Sequence, residues 1–360
     1  MKQPNERNIL VIYTGGTIGM KPSSVNGGLK PGTLEELQKN IPELQDVPYN
    51  LEWEEFKPGG RFIDSSDANL EFYNLLAKNI AETHQNYDGI VVIFGTDTMG
   101  PSAAAMSYQL EGLKRPVVFT GSMTPAAEKD SDGPRNLLDA IEVAARSGNE
   151  IPPVDEVSVC FHGKLFRGTH ARKYSASNVD AFDGVTEQPI ARINAGSIEV
   201  DEDRLLRHDD GEFHFNALQQ KNIVPIRVTG ELASSIEAKL KACGDADAIL
   251  LYDLPKDPPL TTESKFFHML RDLTHDQTVF FADNENQPPS NDWIRLRGVP
   301  DFQQLMMKTN YILSRTDDRD EMRALAEGNL RGEIQGDVIR ETEILHAMRT
   351  EKERPMIDRR

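Results

Sequence analysis

Apolar residues gather into four short runs in the first half of the chain, at residues 9–13, 89–94, 116–120 and 156–161, and each reads as a strand. Between them the apolar positions recur at helical spacing. Leu70, Tyr73, Leu76 and Ile80 predict a helix, with Ser66-Asp67 ahead of it as N-cap. Pro101 opens a second helix running to Leu113, in the first-turn position that proline favours. Leu137, Leu138, Ile141, Ala144 and Ala145 mark a third, introduced by residues 132–136. Strands alternating with helices predict an α/β domain over residues 1–195, a mainly parallel sheet with helices on both faces.

The pattern changes at residues 196–222. Acidic residues cluster there (Glu199, Asp201, Glu202, Asp203, Asp209, Asp210, Glu212) with few apolar positions between them, so the stretch is read as an interdomain linker with room for a hairpin. A second βα series follows over residues 223–338, with strands at 224–228, 248–252 and 278–281 and helices near 232–243, 263–273 and 302–313. From Asp318 onward the pattern is charged and helical. Residues 339–360 form a charged tail, of which 340–349 read as a surface helix.

Composition bounds the partners. A chain of 360 residues is long enough for two cores, and 38% hydrophobic with 27% charged residues is the balance of a soluble globular protein. No apolar run approaches the roughly 18 residues that span a bilayer. Residues 1–8 are polar and lead straight into a strand, leaving no signal peptide to read. Cys160 and Cys243 lie far apart in apolar contexts, which fits a reducing cytoplasm better than a disulfide framework. A net charge of −18 argues against nucleic acid and anionic membranes as partners.

The candidate chemistry gathers where strands end. Residues 9–13 run into Thr14-Gly15-Gly16-Thr17-Ile18-Gly19, which puts Thr14 at the carboxyl end of the first strand, the edge where open α/β sheets hold ligands. The glycines allow a sharp turn and a close approach of substrate to backbone. A threonine hydroxyl there is a candidate nucleophile, though a poor one without a base or a proton relay. The next strand ends in Phe94-Gly95-Thr96-Asp97-Thr98-Met99-Gly100. Thr96 could relay protons and Asp97 could hold a substrate ammonium group; helix capping by Asp97 or Thr98 accounts for the same residues. Asp64-Ser65-Ser66-Asp67 offers hydroxyls and backbone N–H groups to a carboxylate, and capping explains it equally well. Ser122 and Met123 lie on the same sheet edge, while Ser131-Asp132-Gly133-Pro134 reads as scaffold. The segment 167–173 supplies Lys173, either as a partner for Asp97 or as part of a solvated basic loop. The dinucleotide fingerprint, the P-loop and the Gly-x-Ser-x-Gly elbow are all missing. His208 and His214 sit in the acidic stretch with no cysteine–histidine cluster around them, so no metal is expected.

In combination these segments resemble the bacterial-type L-asparaginases, above all the cytoplasmic type I branch. The matching residues are Thr14-Gly-Gly-Thr-Ile-Gly, Asp64-Ser-Ser-Asp, Gly95-Thr-Asp-Thr-Met, Thr120-Gly-Ser-Met, Ser131-Asp-Gly-Pro, Arg167-Gly through Lys173, and Ala181-Phe182, in family order and spacing over about the first 185 residues. Asn329-Leu330-Arg331-Gly332-Glu333 resembles the family's last helix. The resemblance implies two α/β domains, a larger N-terminal flavodoxin-like sheet and a smaller C-terminal Rossmann-like parallel sheet, assembled as a homodimer or homotetramer. It implies hydrolysis of the side-chain amide of L-asparagine to L-aspartate and ammonia, without metal or organic cofactor. Thr14 then matches the nucleophile that forms an acyl-enzyme, and Thr96 with Asp97 and Lys173 the second catalytic group. Asp97 also matches the holder of the α-ammonium group, and Ser65 and Ser66 the holders of the α-carboxylate.

Three departures accompany the resemblance. Phe94 stands where many relatives have histidine. The loop Asn26-Gly27-Gly28-Leu29-Lys30-Pro31-Gly32 lacks the tyrosine that usually contacts the threonine, so the base for Thr14 is unassigned. In the second domain, Tyr252-Asp253-Leu254-Pro255 replaces a Tyr-Gly-x-Gly-Asn-like turn, and Asp283-Asn284-Glu285-Asn286-Gln287-Pro288-Pro289 replaces a glycine-rich segment. Completion of a neighbour's site and an allosteric asparagine site are therefore open. Two other functions stay in view: a catalytically weak asparaginase-like protein that binds an amino acid or a protein partner, and the asparaginase-like subunit of a transfer-RNA-dependent amidotransferase. The latter carries a further domain ahead of the Thr14 motif, and the acidic charge suits transfer RNA poorly.

Overall fold

A computed structural model describes residues 6–22, 28–206, 211–230, 233–254, 263–274, 277–334, 338–339 and 341–353. They divide into two compact units, Met1–Ala217 and Leu218–Arg360. In the first, strands β1 (Asn8–Tyr13), β2 (Asn50–Glu55), β3 (Gly89–Ile93), β4 (Val117–Thr120), β5 (Val157–Phe161) and β6 (Lys164–Arg167) are followed by a separate ladder of β7 (Ala171–Lys173) and β8 (Phe182–Gly184). The hairpin of β9 (Ala191–Asn194) and β10 (Ser197–Val200) then completes an eight-stranded sheet of order β10-β9-β6-β5-β4-β3-β1-β2. Its five parallel strands run in the order 2-1-3-4-5, the flavodoxin-like arrangement, whose topological switch point lies between β1 and β3. The remaining strands extend the sheet antiparallel.

Register brings the sequence signals to one level. Tyr13 pairs with Ile93, and Ile93 with Thr120. The residues that follow each strand therefore leave the sheet together at its carboxyl edge. The strands are near-continuous apolar runs because both faces are covered. Ile9, Val11, Tyr13, Val91, Ile93 and Val118 pack with Leu137, Ile141 and Ala144 of the helix Gly133–Arg146.

The helices differ in detail from the pattern reading. Helix α1 is Leu34–Asn40, closed by a Thr33–Glu36 capping box. Helix α2 (Leu70–Thr83) is capped not by Ser66-Asp67 but by Asn69, whose Oδ1 accepts from Phe72 N at 3.0 Å. Residues Ser65–Asp67 instead form a separate 3₁₀ turn. Helix α3 (Met99–Gln109) begins two residues before Pro101, which occupies the third position, where an N–H still has no partner within the helix. It stops at Gln109 because Leu110-Glu111 pairs with His214-Phe215. Helix α4 is Gly133–Arg146, with Pro134 in its first turn. The acidic stretch begins inside the sheet, since Ser197–Val200 is its terminal strand; His208, Asp209 and Asp210 lie outside the described residues.

In the second unit β11 (Ile223–Arg227), β12 (Ala248–Tyr252), β13 (Val279–Ala282) and β14 (Ile294–Leu296) form an all-parallel sheet in sequence order. Its helices are α5 (Ala233–Lys241), α6 (Lys265–Thr274), α7 (Phe302–Arg315), α8 (Arg319–Glu327) and α9 (Glu341–Glu353). Leu232, the residues 255–259 and Arg340 lie outside the described residues. One expectation is refined and one corrected. Helix α9 presents Glu343, His346, Ala347 and Thr350 to solvent as a surface helix does, but it is anchored by Glu341, which is fully buried and accepts hydrogen bonds from Tyr311 Oη and Arg315 Nε. The segment Asn329 to Glu333 is not helical. It is a buried turn in which the Glu333 carboxylate accepts from Leu330 N (3.1 Å) and Arg331 N (2.6 Å) and pairs with Lys308 Nζ at 2.7 Å.

Burial pushes the Glu333 carboxyl up, but Lys308 and the N–H donors outweigh burial, and the net shift is below the usual carboxylate range. A carboxyl lowered on folding adds stability above its unfolded pKa and loses it as pH falls through the folded one. Glu333→Gln leaves the Lys308 ammonium buried without its counter-charge. It is expected to cost about 3–5 kcal/mol, read from the denaturant midpoint.

Candidate active site

Thr14 leaves β1 at the switch point and is 1% exposed. Its backbone N–H donates to Ile93 O at 3.1 Å, and its Oγ1 donates to the same carbonyl at 2.8 Å. Gly15 and Gly16 turn the chain with φ of 119° and 91°, values that favour glycine. The turn is also tight. A Cβ added at Gly16 would lie 2.8 Å from Gly95 N, so the loops after β1 and β3 are in backbone contact. Gly16→Ala is expected to lower stability by about 2–4 kcal/mol through clash and backbone strain together, measured as a fall in Tm.

Ser65 closes the other side of Gly95. It is 5% exposed, and a Cβ at Gly95 would fall 2.6 Å from its Cβ and Oγ. Its loop is fastened to the end of β1 by Ile63 N donating to Thr14 O at 3.2 Å. Ser66 is exposed, and its backbone N–H donates to Asp64 Oδ1 at 2.9 Å. The structure thus brings Thr14, Ser65 and the Gly95-Thr96 turn together, with Ser66 outward on the same loop.

Thr96 is buried beside Lys173, whose Nζ donates to Thr96 Oγ1 at 2.8 Å and to Asp97 Oδ1 at 2.6 Å. Lys173 reaches this point because β7 packs on the start of α3: a Cβ at Gly100 would meet Ala171 O at 2.5 Å. The Lys173 side chain is 16% exposed and that of Asp97 64%, so one end of the pair is fixed and the other open to an incoming group. Lys173 is therefore no solvated loop residue. Asp97 does not cap α3, and Thr98, at the N-cap position, makes no capping bond with its side chain.

Several supporting residues escaped the sequence reading. Asp132, taken as scaffold, clamps the loop after β4: its carboxylate accepts from Met123 N (2.9 Å), Thr124 N (3.1 Å) and Thr124 Oγ1 (3.0 Å). Thr98 Oγ1 donates to Ser65 O at 2.6 Å, a bond no local spacing announces. Phe94 joins Phe72 and Phe119 in an aromatic cluster, a packing role. Tyr13, the tyrosine adjacent to Thr14, faces the other side of the sheet. Its hydroxyl occupies the space of a Cβ at Gly19 and has no hydrogen-bond partner among the described residues; burial, with Glu55 and Glu36 nearby, pushes the phenol far up. The loop expected to approach Thr14 rises from a hairpin of Met20–Pro22 with Leu29–Pro31, and Asn26 and Gly27 lie outside the described residues. Among the described residues no group of three or more His, Cys, Asp or Glu side chains is placed to hold a metal.

The family model described as "Asparaginase, N-terminal" matches residues 8–206, more than half of the chain and all of the site described above. The chain belongs to the asparaginase family. This asparaginase-family chain is 39% identical to L-asparaginase 1 of Escherichia coli over 182 residues, 49% of this chain and 50% of that protein. It is 26% identical to a glutamyl-tRNA(Gln) amidotransferase component of Thermococcus kodakarensis over 353 residues, 91% of this chain and 76% of that one. Among solved structures it is similar to L-asparaginase I of Vibrio cholerae, with a TM-score of 0.77 and 27% identity, covering 92% of this chain and all of the other. The relatives' names agree with the type I resemblance, and the neighbours carry the two-domain fold. The chain spans about half the length of the first curated relatives it matches.

Proposed function

We propose that this chain hydrolyses the side-chain amide of L-asparagine to L-aspartate and ammonia through an acyl-enzyme on Thr14. The observation that supports it most is the Lys173–Thr96–Asp97 constellation, set one strand from Thr14 at the switch point. The substrate's α-carboxylate lies against the Ser65-Ser66 turn, and its α-ammonium group against the open carboxylate of Asp97. Thr14 Oγ attacks the side-chain carbonyl carbon after giving up its bond to Ile93 O, and its proton passes into the relay of Thr96 and Lys173. Backbone N–H groups around Gly15 and Thr96 stabilise the oxyanion. The C–N bond then breaks, and ammonia departs with a proton delivered through Thr96 and Lys173, leaving an ester on Thr14. Water adds to the ester carbonyl, loses its proton to the same relay, and releases aspartate as the Thr14 hydroxyl re-forms.

On the family resemblance, the assembly proposed is a homodimer or homotetramer in the cytoplasm. The described residues contain no helix long and apolar enough to cross a membrane.

A second reading draws on the Thr14 hydroxyl donating to a carbonyl and on the loop without a tyrosine: an asparaginase-like protein of weak activity that binds an amino acid or a protein partner. Wild-type protein incubated with L-asparagine separates the two. Ammonia and aspartate released in equal amounts support the hydrolase; calorimetric binding without turnover supports the binder. The amidotransferase relatives raise a third arm, and the charge of −18 weighs against a transfer RNA partner.

A further inference from the structure

Thr98 stands at the N-cap of α3, where a threonine side chain ordinarily accepts an N–H of the first turn. Here it makes no such bond. Its Oγ1 donates across the site to Ser65 O at 2.6 Å and also meets the hydroxyl of Tyr73. Ser102 Oγ lies 3.3 Å from that phenol and donates to Thr98 O at 2.7 Å. Tyr73 and Ser102 are buried, so the hydroxyl cluster is sheltered from water and fixed by helices α2 and α3.

Among the described residues the Ser65 turn is also attached by a backbone bond, Ile63 to Thr14, and by packing, Ser65 on Gly95. Neither hydrogen-bonds the turn to the strand-end loop that carries Thr96. Thr98 does.

We infer that Thr98 is a specificity-determining positioning residue, which fixes the separation between the end of the site that holds the amino acid backbone and the end where the side-chain amide reacts. This rests on the proposed function, in which Ser65 receives the α-carboxylate and Thr96 flanks the amide. L-Asparagine and L-glutamine differ by one methylene between those ends. A site with its ends held apart by a rigid tether accepts one length. Discrimination of one methylene by fit alone is about 10–200-fold, and that is the quantity the tether controls.

The test is the ratio of kcat/KM for L-asparagine over L-glutamine in wild type, Thr98→Val and Thr98→Ser. Valine keeps the shape and removes the hydroxyl; serine keeps the hydroxyl. The ratio is expected to fall about tenfold in Thr98→Val, mainly through a higher KM for asparagine, and to return toward wild type in Thr98→Ser. An unchanged ratio in Thr98→Val, whatever the absolute rates, overturns the inference, as does equal loss on both substrates. Should Thr98→Val not fold, Tyr73→Phe removes a neighbour of the same hydroxyl and must shift the ratio in the same direction; an unchanged ratio there overturns it too. If wild type releases ammonia from neither amide, the proposed function fails. The tether is then read by calorimetry as the ratio of aspartate to glutamate dissociation constants in the same variants, and again an unchanged ratio refutes it.

Discussion

Thr14→Ala is expected to lower ammonia release from L-asparagine by on the order of 10⁴-fold or more, with the fold retained. The variant loses only the hydroxyl and methyl group. The Ile93 carbonyl it leaves keeps the backbone N–H of residue 14 as donor at 3.1 Å, so the stability loss is about 1 kcal/mol, one buried neutral hydrogen bond. Ser65, Ser66 and Asp97 are held by bonds that do not involve the Thr14 side chain, so asparagine should still bind the variant with an affinity near that of wild type. Calorimetry on Thr14→Ala with intact asparagine checks this directly. Equal ammonia release from wild type and variant would remove Thr14 as nucleophile, and loss of binding together with turnover would make it a binding residue instead.

The half of the fold that carries this chemistry was legible because parallel strands covered on both faces show as apolar runs. Four of the five parallel strands read that way, and their ends delivered Thr14, Gly95-Thr96 and Gly121-Ser122 to one edge. The fifth, Asn50–Glu55, was invisible: as the sheet's edge it alternates acidic residues with Leu51 and Trp53. The antiparallel strands β6 to β10 were missed for a similar reason, being three or four residues long and each interrupted by polar or charged residues. Lys173 was singled out, but nothing in the spacing showed that one amine reaches Thr96 and Asp97 together; that follows from β7 lying on α3.

In the second unit the missing glycines turn out to have local substitutes. Asp253 adopts φ of 51°, a left-handed conformation that Asp tolerates better than most residues, and its carboxylate takes Arg227 Nε at 2.6 Å. Asp283 Oδ1 accepts from Glu285 N and Asn286 N at 2.8 and 2.9 Å, building its turn from a side chain. Both sit at strand ends of a parallel sheet, so the divergence changes the chemistry offered at that edge. The sequence departures were real signals, but of different turn chemistry rather than of a different fold.

Lys173→Met is the second large effect, an expected fall in kcat of about 10²–10⁴-fold, the range for loss of a positioned proton-transfer group. Methionine matches the lysine stem, which is largely buried, so packing of β7 on α3 should survive. Asp97 loses its cation but is 64% exposed, where water screens a lone carboxylate. It therefore stays available to the α-ammonium group, and KM for asparagine should change by less than about tenfold while kcat collapses. Lys173→Arg sharpens the result. A guanidinium keeps the positive charge beside Thr96 and Asp97 but does not give up its proton, so it can hold both partners without serving as a relay. Recovery of kcat in Lys173→Arg would make the role one of charge and position. Failure of arginine to rescue, with KM near wild type in both variants, is the pattern expected of a lysine that moves the proton between Thr96 and the departing ammonia. A kcat preserved in Lys173→Met would leave Thr96 to act alone.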